Sequence, residues 1–266
     1  AVDAQLGRGM AVAKILAASP NIVVEDLSAF AAEARRASIE GTWIVVSSPD
    51  GKQLLNTAAA PGAELPLRTA AGIAIAKEAL QSRNPVVSGI IRGPVRHIWS
   101  IAIDVPIFRN GEPYCLVTVA MDAEIFHTLL GAHNMPKGWL TGIIDREGRF
   151  VARVPDNTDK VGQFAAAGWR AIMDREGLFE FSTLECDDVA HANARSALSG
   201  WSVGVASKID EIEAAAWQTL ALAISLGIVV CLGSIALAVA FARQITTSIS
   251  DLRDRSRALI EGRKIV

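Results

Sequence analysis

Three kinds of hydrophobic pattern follow one another along this chain. Near the start Leu6, Met10, Ala13 and Ala17 recur at helical spacing until Ser19-Pro20 interrupts them. Asp26 can then cap a second helical piece, in which Leu27, Phe30, Ala31 and Ala34 share a face. From residue 42 the pattern changes to short runs rich in Val, Ile and aromatic residues, separated by turn residues. After residue 218 it changes again, to an unbroken apolar run.

The middle stretch contains its own pattern twice. TWIVVSSPDGKQLLNT (Thr42–Thr57) reads as strand, turn at Pro49-Asp50-Gly51, strand, and WLTGIIDREGRFVARV (Trp139–Val154) repeats it with a turn at Asp145–Gly148. Asp and Gly suit such turns because they tolerate positive φ. A helical pattern follows each copy, over Leu67–Ser82 and Phe164–Arg175. Strands follow in turn: Val86–Arg92, His97–Phe108 and Pro113–Met121 in the first copy, with Asn110-Gly111 joining the last two. In the second they are Leu178–Leu184, Ala190–Ser196 and Trp201–Ala206. Each copy closes as strand then helix, LVTVAMD–AEIFHTLL and WSVGVAS–KIDEIEAAA. The prediction is an α+β chain with two antiparallel sheets and helices packed on them.

Thr219–Ala242 holds 24 residues without a charge. As a helix it spans about 36 Å, enough for a hydrocarbon core of roughly 30 Å. Arg243, Arg253, Arg255, Arg257, Arg263 and Lys264 follow it, whereas only Lys208 lies in the twenty residues before. The excess of Lys and Arg marks the cytoplasmic side, so residues 1–216 are expected outside and 243–266 inside the membrane. The chain opens at Ala1 without Met or a signal-peptide pattern, and we expect a first membrane helix ahead of it. Beyond the membrane, Ile245, Ile249, Leu252, Ser256 and Leu259 fall at four-three spacing, the seam of a coiled coil, which implies a parallel homodimer.

Composition removes several functions. A net charge of −2 argues against nucleic acid. Cys115, Cys186 and Cys231 have neither metal nor redox spacing, and a Cys115–Cys186 bridge would have to join different subdomains. Gly200–Gly204 spells G-x-S-x-G, but inside a predicted strand and with no His after it, so it is no nucleophile elbow. Gly7-Arg8-Gly9 lacks a third glycine and a preceding strand. His127 and His133 are six apart and would face different ways on a helix. Asp187, Asp188 and His191 form a polar cluster best read as a solvated loop. No catalytic set, metal site or cofactor is expected.

The order of these parts resembles the double Cache (dCache) sensor domain of bacterial receptors. The strand Ile98–Gly111 (IWSIAIDVPIFRNG), LVTVAMD and IIDREGRFVARV carry the resemblance, which covers roughly Leu6–Glu213. It implies a helical stalk (1–37), a membrane-distal PAS-like module (38–135), a proximal one (136–207), an exit and transmembrane helix (208–242) and a linker (243–266). The linker is similar to the first helix of a HAMP domain at Ile249, Leu252, Leu259 and Gly262, with Ser248 where that pattern usually has Pro.

The resemblance also implies a small-molecule pocket in the distal module, built from His97–Asp104, Tyr114–Asp122 and parts of Leu67–Arg92. Asp122 matches the acidic residue that grips a ligand ammonium in the family's amino-acid binders, and it also stands where it would cap the next helix. Trp99 and Tyr114 are candidate walls, and Arg92, Arg96 and His97 are candidate polar contacts. LQSRN (Leu80–Asn84) stands where those binders show Arg-x-Trp-Tyr, so amino-acid sensing is not implied. The expected function is extracytoplasmic sensing and transmembrane signalling, first as a sensor histidine kinase, second as a chemoreceptor or diguanylate cyclase receptor. A membrane-tethered binding protein without output is the rival from another class.

Overall fold

Alternation along the strands is what builds the first sheet. In the computed structural model, which describes residues 1–132, 135–155 and 159–260, two N-terminal helices, α1 (Val2–Ala17) and α2 (Ser28–Ala37), precede it. Asp26 accepts the Ser28 N–H at 3.0 Å just ahead of α2. The sheet comprises β1 (Thr42–Ser47), β2 (Gln53–Asn56), two short pieces β3 (Val86–Val87) and β4 (Ile91–Arg92), β5 (Trp99–Arg109) and β6 (Glu112–Asp122). Between β2 and β3 runs α3 (Ala70–Ser82), whose N-cap Thr69 accepts the Gly72 N–H at 3.2 Å.

On one face Ile44, Val46, Ile101, Ile103, Val117, Val119 and Met121 pack with Leu6, Ala13 and Phe30 of the N-terminal helices. The approach is close because α1 carries Gly9: a Cβ there would lie 2.8 Å from the Met121 side chain and 2.9 Å from that of Ile103. The other face holds the residues of opposite parity and is covered partly by α3, whose Ala76 and Ala79 pack on Val86 and Leu116.

Helix α4 (Glu124–Gly131) leads to the second sheet: β7 (Leu140–Ile144), β8 (Phe150–Val154), helix α5 (Ala167–Ile172), β9 (Gly177–Ser182), β10 (Asp188–Arg195) and β11 (Ser202–Lys208). Strand order in the first sheet is β2-β1-β6-β5-β3, with β4 also on β5; in the second it is β8-β7-β11-β10-β9. With β3 and β4 counted as one interrupted strand, both modules read 2-1-5-4-3, and every pairing is antiparallel. The repeated hairpins are thus the visible part of a repeated topology. Differences from the sequence reading are local. Val86–Arg92 is two strand pieces rather than one, and both mid-module helices are shorter than expected, starting at Ala70 and Ala167.

Ala1–Ile209 forms one unit, and residues from Asp210 onward form a second. The second is a helix: α6 (Ile209–Ile260) begins directly after β11 and runs 52 residues. Its Ile209–Gln244 portion is long and apolar enough to cross a membrane. The backbone alone is described over residues 245–260, and Gly262 lies outside the described residues, as does His133.

Candidate functional site

The uncovered part of the first sheet's α3 face is unusually polar for a sheet centre. Asp104 is fully buried on β5 and accepts two strong bonds. Arg68, from the loop before α3, donates from Nη2 to Asp104 Oδ2 at 2.5 Å, and the Thr118 hydroxyl donates to Asp104 Oδ1 at 2.6 Å. Arg68 Nη1 also donates to Ser47 Oγ at 3.2 Å. Beside this network, Asn56 Nδ2 donates to Gln53 Oε1 at 2.8 Å. A buried charge survives only when paired and hydrogen-bonded, which this one is.

A cavity of about 60 Å³ lies over these groups, with Trp43, Gln53, Asn56, Arg68, Ser100 and Thr118 among its walls. The turn Gly93–Arg96 also lines it, and there the Arg96 guanidinium stacks on Trp43 at 5.0 Å. A small ligand entering here would meet a polar floor, an aromatic wall and a cation at the rim, the usual composition of an orienting pocket.

The six residues singled out in the sequence separate. Arg96 borders this cavity. Arg92, His97, Trp99 and Asp122 come together elsewhere, around an open cleft of about 280 Å³ that also touches Val161 of the second module. There Arg92 stacks on Trp99 at 5.0 Å, and Asp122 Oδ1 accepts the Glu124 N–H at 3.0 Å from one position ahead of the helix cap, which is Ala123 rather than Asp122. Tyr114 lines neither. In the β5–β6 pairing Ile107 faces Cys115 and Phe108 faces Pro113, which leaves Tyr114 as the extra residue of a bulge. It turns toward the N-terminal helices, where its hydroxyl accepts the Val24 N–H at 2.8 Å. Arg68, Asp104 and Thr118 lie within the segments expected to build the pocket but were not singled out there, and Gln53 and Asn56 lie outside those segments. The signal for two of them was present: a lone Asp in SIAIDVPIF and a lone Thr in LVTVAM, each flanked by apolar residues.

The other strings resolve structurally. Ser202 is buried at the start of β11 and its hydroxyl donates to Asn193 at 2.5 Å. His127 lies 2.8 Å from Glu124. Asp187 pairs with Lys208 at 2.9 Å, Asp188 accepts from Ser182, and His191 is buried against Trp169, so that cluster points three ways. Cys115, Cys186 and Cys231 are free thiols.

The modules meet around the segment that leads into the cavity. Asp145, in the β7–β8 turn, is buried, and its Oδ2 accepts the Ile90 N–H at 2.9 Å. Arg146 donates to the Val87 carbonyl at 2.7 Å and pairs with Glu78 of α3 at 3.2 Å. The Trp99 ring rests on the bare Gly162 backbone, where a Cβ would lie 2.3 Å from it. The chain between β3 and β4 is therefore gripped by the second module, and the residues just after it, Ile91 and Gly93, line the first module's cavity.

No family model matches the sequence, and no curated protein is similar to it. Solved structures are. The ligand-binding domain of the Pseudomonas aeruginosa PAO1 amino-acid chemoreceptor PctB, in complex with L-Gln, superposes with a TM-score of 0.58 at 15% identity, covering 83% of this chain and 90% of that one. The chain has the fold of a receptor's ligand-binding domain. The extracellular domain of a proposed histidine kinase, mmHK1S-Z2, gives 0.62 at 15% identity over 79% and 92% of the two chains. That of the Pseudomonas fluorescens chemoreceptor CtaA, in complex with L-isoleucine, gives 0.58 at 12% identity over 79% and 87%. In this chain that fold is followed by a helix long and apolar enough to cross a membrane.

Proposed function

We propose that the chain is the dCache-type sensing region of a dimeric transmembrane receptor, taking a small polar ligand in the distal cavity over Arg68 and Asp104. One observation carries the reading: a fully satisfied buried polar network floors a cavity on the sheet face, where packing alone would favour apolar residues. Ligand contact with Thr118, Gln53 or Arg96 would favour one position of the Gly93–Arg96 turn. That turn is continuous with the Val87–Ile90 segment held by Asp145 and Arg146. Ligand affinity that differs between two such positions is the only lever by which binding can shift the receptor. Residues 1–216 lie outside and 243–266 inside in this reading, and the HAMP-like helix after the membrane delivers the change to an output module. A histidine kinase is the first choice for that module. A chemoreceptor is the second, since receptors of both kinds share the fold.

Thermal-shift screening of the whole chain in detergent against amino acids, short carboxylates and amines tests the site. Hits should lose at least tenfold in affinity in Thr118→Val or Gln53→Leu, and keep it in Asp122→Ala. The reverse pattern moves the ligand to the cleft around Trp99 and Asp122.

A further inference from the structure

The second sheet has a cavity of its own, and it is built beside a charged pair. It measures about 40 Å³, room for roughly three water-sized groups at ~10–15 Å³ each. Phe150, Phe181, Leu184, Val189 and Ala206 give it mostly apolar walls. At its edge stands Arg153 of β8, whose side chain is only 7% exposed. Arg153 Nη1 and Nη2 donate in parallel to the two carboxylate oxygens of Glu185, at 2.8 and 2.9 Å. That fork is the geometry by which a guanidinium recognises any carboxylate.

The two partners are held very differently. Arg153 is fixed in a strand, whereas Glu185 comes from the turn between β9 and β10 and is 38% exposed. The same turn carries Asp187, which pairs at 2.9 Å with Lys208, the last residue of β11 before α6 begins. Lys160 adds a second cation 3.0 Å from Glu185. A buried arginine, an apolar cavity and a carboxylate supplied from an exposed turn make a binding site in which the chain provides its own headgroup.

We propose that the proximal module binds a short monocarboxylate of two to four carbons at Arg153, its tail in the cavity and its carboxylate in the place of Glu185. Displacing Glu185 releases the β9–β10 turn and, with it, the Asp187 contact at the root of α6. The module is then a second input, separate from the distal cavity and independent of whether that one is occupied.

Propionate is the probe and propionamide, its uncharged counterpart, the control. Calorimetry on the whole chain in detergent micelles should show saturable propionate binding and no propionamide binding. Glu185→Gln removes the competitor and should lower the dissociation constant at least tenfold; Arg153→Met should abolish binding. Ala206→Leu fills the cavity and leaves both charges in place, so its loss of binding, with an unchanged melting profile, separates a lost site from a lost fold. A fluorophore on Cys186, next to Glu185 and exposed, should change emission with propionate in a Cys231→Ser chain. The proposal is overturned if neither the wild type nor Glu185→Gln binds propionate, or if binding survives Arg153→Met and Ala206→Leu.

Discussion

Arg68 and Asp104 are the residues whose removal should be felt most sharply. Arg68→Met leaves a buried carboxylate with only Thr118 to satisfy it, a class of change that costs about 3–5 kcal/mol. Arg68→Met with Asp104→Leu removes both charges and should recover most of that loss in a urea melt. If the double variant is no better than the single one, the pair is not the cause. His191 offers a pH test. Burial against Trp169 and Phe181 pushes its pKa down to about 4, outweighing the opposing bond with Asn193. The unfolded chain takes up that proton near pH 6.5, the folded chain only near 4. Stability from this group is therefore complete above pH 6.5 and lost as pH falls from there to about 4. His191→Gln should flatten the urea midpoint over that window relative to the wild type, and parallel curves would rule the histidine out.

At the scale of elements, the junction between modules makes the next prediction. Asp145→Ala strands the buried Ile90 N–H and two turn amides, Glu147 and Arg149, so a loss of at least ~2 kcal/mol is expected in denaturant unfolding. A melt matching the wild type would show that the modules do not lean on this contact. Sequence made the elements legible because each strand and helix carries its own periodicity, and the duplicated hairpins announced themselves through D-x-G turns. It placed the pocket residues less well. A ligand face is a matter of parity, and one extra residue at Tyr114 turned its side chain to the other side of the sheet. Four of the six candidates did assemble, but around the cleft between modules, because the docking of one sheet on another leaves no mark in local pattern. Asp104 and Thr118 were readable as polar breaks in apolar strands; Arg68 was not, since a lone Arg in a loop before a helix looks like any solvated one.

For the molecule as a whole, topology across the membrane can be checked through thiols already present. In intact spheroplasts a membrane-impermeant maleimide should label Cys186, exposed in the sensor unit, and should leave Cys231, midway along the apolar run, untouched until detergent is added. Labelling of Cys186 only after lysis would overturn the proposed orientation and, with it, the proposed sensing role. The unbroken course of α6 has a further consequence, one of phase. Each residue of an α-helix turns its successors by about 100°, so a straight helix fixes the azimuth of its far end to that of its root. Inserting one alanine after Ile209 would point everything beyond it in a new compass direction while lengthening the rod by only about 1.5 Å, whereas inserting seven would nearly restore the heading. Under the proposed receptor reading, insertions in α6 should change the output unless they come in near-whole turns, and natural relatives should vary the length of α6 accordingly.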